Sequence, residues 1–118
     1  PRHYGAVSTP VYRTSLFGFE NYREFLEAYT GQSEAPLYTR VSNPTRSALE
    51  TKIAYLEQAD RAIAFSSGMG AISAALLSFL GTGDHALVVS CCYGPTRQFC
   101  NRLLKQMGVE VEFFPAEE

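Results

Sequence analysis

The sequence predicts an α/β fold with a parallel βαβαβ core and an extended N-terminal arm. Three observations carry that expectation. Short apolar runs at 61–66, 85–90 and 109–114 have the length of buried strands, and two stretches of helical periodicity, 68–80 and 95–107, separate them. The order strand, helix, strand, helix, strand calls for parallel strands joined by right-handed crossovers. Residues 1–18, by contrast, show no helical period and carry Gly5, Pro10 and Gly18, so they read as an arm with little core of its own.

After the arm, Glu20 to Tyr29 reads as a short helix with Tyr22, Phe25, Leu26 and Tyr29 along one side, and 31–36 as a loop. Leu37 to Ser42 leads into a clear helix start, where Asn43 is a good N-cap and Pro44 suits the first helical position. From there to about Glu57, Leu49, Ile53 and Leu56 recur at helical spacing as a core-facing stripe, which leaves Arg46, Glu50, Lys52 and Glu57 in solvent. Residues 1–43 therefore form an arm with a short helix, and 44–118 begin the α/β domain. Arg61 to Ser66 is the first strand and Gly68 to about Leu80 its helix. Gly81 to Asp84 is a turn and His85 to Ser90 the second strand. Pro95 to Met107 is a helix with Phe99, Leu103 and Leu104 inward, ended by Gly108 before a third strand, Val109 to Phe114.

The join Phe65-Ser66-Ser67-Gly68-Met69-Gly70 is the place where this order implies chemistry. A strand that turns tightly into a helix leaves the first N–H groups of that helix without partners, at the positive end of the helix dipole. That is a seat for a phosphate, with Gly68 letting the main chain approach and Ser66 or Ser67 able to add a hydroxyl. The same glycines would also serve a plain tight turn. In successive parallel strands the carboxyl ends share one sheet edge, so Cys91 to Pro95 should neighbour the Ser67-Gly68 turn. Tyr93 is then either a rim aromatic or a ring lying beside a flat, phosphorylated ligand.

Other classes are disfavoured. No Gly-Lys-Ser/Thr follows the turn, so a nucleoside-triphosphate loop is absent, and the dinucleotide fingerprint is incomplete, with no acid at the end of Val88-Val89-Ser90-Cys91-Cys92. The net charge of −2 comes without a basic block, which argues against a nucleic acid or an anionic membrane as main partner. No apolar run approaches the ~20 residues of a membrane span, and Pro1 to Ser8 is no signal peptide. Three cysteines, two of them adjacent, with no ligand-spaced histidine, fit a reduced, cytoplasmic chain without a zinc site; His3 and His85 read as structural or solvated.

Four motifs in register, Tyr38-Thr39-Arg40, Asn43-Pro44-Thr45, Ser67-Gly68-Met69 and Tyr93-Gly94, resemble the pyridoxal-phosphate enzymes of cysteine and methionine metabolism across nearly the whole chain. The resemblance implies the aspartate-aminotransferase-like fold (fold type I), with 44–118 as the start of the large cofactor-binding domain. Tyr93-Gly94-Pro95-Thr96-Arg97-Gln98-Phe99-Cys100 is most similar to cystathionine β-lyases, since γ-acting members more often carry a second glycine where Pro95 stands. It implies pyridoxal 5'-phosphate as cofactor. Ser67, Gly68 and Met69 would hold the phosphate, and Tyr93 would stack on the pyridine and assist proton transfer. Tyr38 and Arg40, with residues 1–43 around them, would reach a neighbouring subunit's cofactor phosphate in a homotetramer that shares its sites. Gly70 stands where the family usually has alanine, a change expected to leave the turn intact.

The chemistry also needs a Schiff-base lysine and an acid for the pyridine nitrogen. Only Lys52 and Lys105 are present, both within predicted helices, and the family places these groups beyond residue 118. The expectation is thus the N-terminal part of a C–S lyase that converts cystathionine to homocysteine, pyruvate and ammonia. The alternatives are a γ-lyase, γ-synthase or homoserine sulfhydrylase, or a non-catalytic α/β fragment that only docks onto other subunits.

Overall fold

The computed structural model describes residues 5–116, so the readings of residues 1–4, among them a structural or solvated His3 and the start of the arm, lie outside the described residues. The chain divides after Ala64 into two compact units, with the helix that follows Asn43 belonging to the first.

In the first unit, helix α1 (Tyr22–Tyr29) starts at Asn21. Its Oδ1 accepts the Glu24 N–H at 3.0 Å, while Glu24 Oε2 accepts the Glu20 N–H at 3.3 Å, an N-cap with a return bond to the residue before it, and the helix begins two residues later than expected. The expected aromatic side is present: Phe25 stacks on Tyr29 and meets Phe19 edge-on, each at 5.8 Å between ring centroids. Helix α2 (Pro44–Leu56) is capped by Asn43, whose Oδ1 accepts the Thr45 N–H at 2.9 Å. Its expected inward stripe is overturned, because Leu49, Ile53 and Leu56 are exposed and Ala54 is the buried residue of this helix. The periodicity is right for a helix, but among the described residues nothing covers that face. Arg46 and Glu50, expected in solvent, are half-buried and pair at 3.4 Å across one helical turn.

The arm is tied down by side chains rather than by a core. Tyr12 N–H donates to Thr45 Oγ1 at 2.8 Å, and Thr45 Oγ1 donates to the Pro10 carbonyl at 3.2 Å. Asn43 Nδ2 donates to the Tyr12 carbonyl and to Thr39 Oγ1, both at 3.1 Å, and Asn43 is 6% exposed. An antiparallel bridge sets Leu16 against Tyr38, with Phe17 N–H on the Leu37 carbonyl and Thr39 N–H on the Ser15 carbonyl.

In the second unit the order is α3 (Gly68–Phe79), β1 (His85–Val89), α4 (Gly94–Phe99), a π-helical segment (Cys100–Leu104) and β2 (Glu110–Phe114). β1 and β2 pair in parallel, from His85 opposite Glu110 to Val89 opposite Phe114. Their inward residues Ala86, Val88, Val111 and Phe113 pack on the buried Cys100, Leu104 and Val109. Two expectations fail here. Residues 61–66 form no strand: they find no ladder partner among the described residues, and Ile63 is 73% exposed. A strand needs its neighbour's hydrogen bonds as much as its own apolar run. Leu103, expected inward, is exposed, because the wider π turn brings Cys100 and Leu104 to the core instead. The turn before β1 is locked by Asp84, whose Oδ2 accepts the Gly81 N–H at 2.7 Å, and by Gly83 N–H on the Gly108 carbonyl at 2.9 Å. Gly108 itself has φ +81° and lies so near Thr82 that a Cβ would come within 2.9 Å of its methyl, so glycine is required twice over.

Candidate cofactor site

Ser67 is extended (φ −152°, ψ 153°), and its Oγ accepts the Gly70 N–H at 3.0 Å. The hydroxyl thus caps its own helix and keeps its proton free to donate. Gly68 and Met69 lie in the first turn of α3, where helix geometry supplies their N–H groups with no acceptor. A Cβ built on Gly68 meets nothing within 4 Å, so the space beside that residue is open. At Gly70 the same construction comes to 3.0 Å from Ser67 Oγ. Alanine, the family's usual residue there, would press on the cap and shift it slightly.

Tyr93 precedes α4 and is 65% exposed, at a helix start beyond the carboxyl end of β1. The expected adjacency of the two loops is found in the contact of Thr96 Oγ1 with Met69 Sδ at 3.7 Å, which sets the first turn of α4 against the first turn of α3. Arg97 fixes that turn from the other side. Its guanidinium donates to the Ser90 carbonyl and lies 4.3 Å over the Phe113 ring, tying α4 to the carboxyl ends of both strands. Neither Thr96 nor Arg97 stands out in the sequence; a polar pair in the first turn after Tyr93-Gly94-Pro95 is the only signal there was. Burial lifts the Cys100 thiol above its ordinary value, Cys92 adds to the rise, and a backbone hydrogen bond opposes it. His85 pairs with Glu112 at 3.5 Å across the two strands, a structural role.

In the first unit Tyr38 is half-buried and the Arg40 guanidinium lies over its ring at 5.0 Å. Arg46 donates to the Arg40 carbonyl at 3.4 Å and to the Val41 carbonyl, holding this stretch against α2. Among the described residues Arg40 has no acidic partner, so its fork is available to an outside anion. Lys52 and Lys105 are exposed, one on α2 and one just past the π-helical segment, and neither stands at the carboxyl end of a strand.

The family model for Cys/Met metabolism PLP-dependent enzymes matches residues 1–118, the whole chain. The chain belongs to that family. Among its relatives, an L-methionine gamma-lyase of Fusobacterium nucleatum subsp. nucleatum is 42% identical over 110 residues, which are 93% of this chain and 28% of that protein. A provisionally named cystathionine beta-lyase of Rhizobium johnstonii is 38% identical over 115 residues, 98% of this chain and 28% of its own. The crystal structure of a protein provisionally assigned as the O-acetylhomoserine (thiol)-lyase of Campylobacter jejuni superposes with a TM-score of 0.83 at 29% identity, covering 97% of this chain and 28% of that one. It carries a pyridoxyl-lysine monophosphate, and its likeness places this chain in fold type I. The chain spans little more than a quarter of the length of these relatives.

Pyridoxal phosphate is the cofactor of this Cys/Met-metabolism family, and the donor set fits its phosphate. Two acceptorless amides, a hydroxyl proton and a helix N-terminus stand together in the first turn of α3. Among the described residues no helix is long and apolar enough to cross a membrane.

Proposed function

We propose that this chain is the cofactor-phosphate-binding segment of a cytoplasmic C–S lyase that cleaves cystathionine by β-elimination to homocysteine, pyruvate and ammonia. The observation that supports it best is the open first turn of α3 beside the Tyr93 loop, joined through Met69 and Thr96. In this reading the Gly68 and Met69 amides and the Ser67 hydroxyl bind the phosphate. The Tyr93 ring covers one face of the cofactor and its hydroxyl holds or moves a proton near the substrate. Arg97 and Thr96 keep that loop in place. Tyr38 and Arg40 serve the phosphate of a neighbouring subunit, in a homotetramer of dimers that shares its sites. When bound, pyridoxal phosphate supplies the electron sink for the pair released from the substrate α-carbon.

β-Elimination is favoured by Pro95 after Tyr93-Gly94 and by the likeness to the Rhizobium protein. The higher identity to a methionine gamma-lyase favours γ-elimination as the second reading. Product analysis of the full-length protein on cystathionine separates them: homocysteine with pyruvate for the first, cysteine with 2-oxobutyrate for the second. No cofactor absorption band on adding pyridoxal phosphate to folded protein would sink both. Tyr93→Ala is expected to slow turnover ~100-fold or more while the cofactor band and the melting temperature stay near wild type. A parallel loss of fold would return Tyr93 to packing.

A further inference from the structure

The first unit carries a groove of about 440 Å³ between residues 12–15 of the arm and residues 38–40. Two of its lining side chains are arginines, Arg13 and Arg40, and none is acidic, in a chain whose acids outnumber its basic residues twelve to ten. We infer that Arg13 is a second guanidinium for the cofactor phosphate, sharing with Arg40 an anion site built into this groove. The inference rests on the proposed reading that Tyr38 and Arg40 serve that phosphate.

The arginines of this unit sort by what they hold. Arg46 is committed to Glu50 and to the carbonyls of Arg40 and Val41, so it is structural. Arg13 is exposed and, among the described residues, makes no ion pair or hydrogen bond. Its backbone, however, is clamped on both sides. Tyr12 donates to Thr45 and accepts from Asn43, and the Thr14 carbonyl accepts from the Thr39 hydroxyl. A long cation without a partner on a fixed stretch of chain is already aimed, so binding costs it side-chain freedom alone.

The charge balance points the same way. A phosphate monoester carries about −1.5 to −2 at neutral pH. A helix N-terminus answers about half a charge of that, and Arg40 one more. What remains, up to about half a charge, is within what a second, partly solvated arginine can answer. Arg13 stands across the groove from Arg40 and can supply it, which one guanidinium and the α3 amides do not.

The test uses the full-length protein stripped of cofactor, titrated with pyridoxal phosphate and separately with pyridoxal, which has no phosphate, following cofactor absorbance and protein fluorescence. Arg13→Gln is expected to weaken pyridoxal phosphate binding ~10- to 100-fold and to leave pyridoxal binding as it was. Arg13→Lys, which keeps a charge without the planar fork, should fall between Gln and wild type. Unchanged affinity for pyridoxal phosphate in Arg13→Gln, or equal losses for both ligands, overturns the inference. Arg40→Ala, measured alongside, separates the two levels. If it alone loses affinity, Arg13 has no part and the shared site stands; if neither variant loses affinity, the shared-site reading falls as well.

Discussion

The two units of this chain are held together in opposite ways. The unit from Phe65 onward has a small apolar core in which Cys100 and Leu104 are fully buried, with two parallel strands laid on it. The unit up to Ala64 buries little that is apolar, with Ala28 and Ala54 its buried apolar residues, and its arm is ordered by Asn43, Thr45 and Thr39 through hydrogen bonds to main chain. The difference matches what each is proposed to contribute. Backbone amides that must meet an anion need a rigid helix start, which close packing supplies. An arm that carries charge outward has no core to lean on and is fixed instead by directional, polar contacts. The contrast can be broken from either side.

The largest effect is expected from the apolar side. Leu104→Ala removes the centre of the second unit's core and should cost about 2–5 kcal/mol. Hydrogen exchange in the full-length protein should report it as lost protection of β1 and β2 amides with little change at Tyr12. A loss spread evenly over both units would erase the distinction between them. Next comes the polar side. Asn43→Ala removes a helix cap worth ~1 kcal/mol and two further bonds worth about 1 kcal/mol each, and should free the Thr45 amide and the Tyr12 carbonyl. Asn43→Asp keeps the cap oxygen and loses the donor, so it should cost about two thirds as much. No loss in Asn43→Asp would mean that the cap alone matters and that the clasp on the arm is idle.

How far the sequence could be read follows the same division. Features fixed within a few residues were legible: the Asn43-Pro44 cap, the Ser67 turn into its helix, the register-forming runs of β1 and β2. The cap at Asn21 was equally legible in its Asn-x-x-Glu spacing, though the helix was expected to start at Glu20. Features that depend on a distant partner were not. The run 61–66 has the composition of a strand, and Leu49, Ile53 and Leu56 the spacing of a buried stripe, yet each needs a surface to meet that the described residues do not provide. The π turn at Cys100–Leu104 leaves no mark in an apolar pattern that fits an ordinary helix as well. At the site, Gly68 and Tyr93 could be picked out because the roles proposed for them come from backbone geometry and loop position, whereas Met69 came only with the family resemblance. Thr96 and Arg97 act through contacts across the chain, and single polar letters do not announce these.

The smallest expected effect sharpens the contrast most, because it reads the apolar core by titration and the polar clasp has nothing comparable to lose. The Cys100 thiol is lifted above its ordinary 9.0, first by burial and then by Cys92, so the folded state holds this proton more tightly than the unfolded chain does. Stability from this source is complete below about pH 9. It declines as pH rises, since the unfolded chain gives up the proton first, and the loss ends only above the folded value. The slope can reach at most ~1.4 kcal/mol per pH unit for one proton. Urea midpoints of the full-length protein, taken from pH 7 to 10.5, should fall more steeply above pH 9 for wild type than for Cys100→Ala, while below pH 9 the two curves run parallel, offset by the cavity. Coincident slopes would mean that the thiol is ionised at the same pH folded and unfolded, and that the core around Leu104 admits more water than its burial implies.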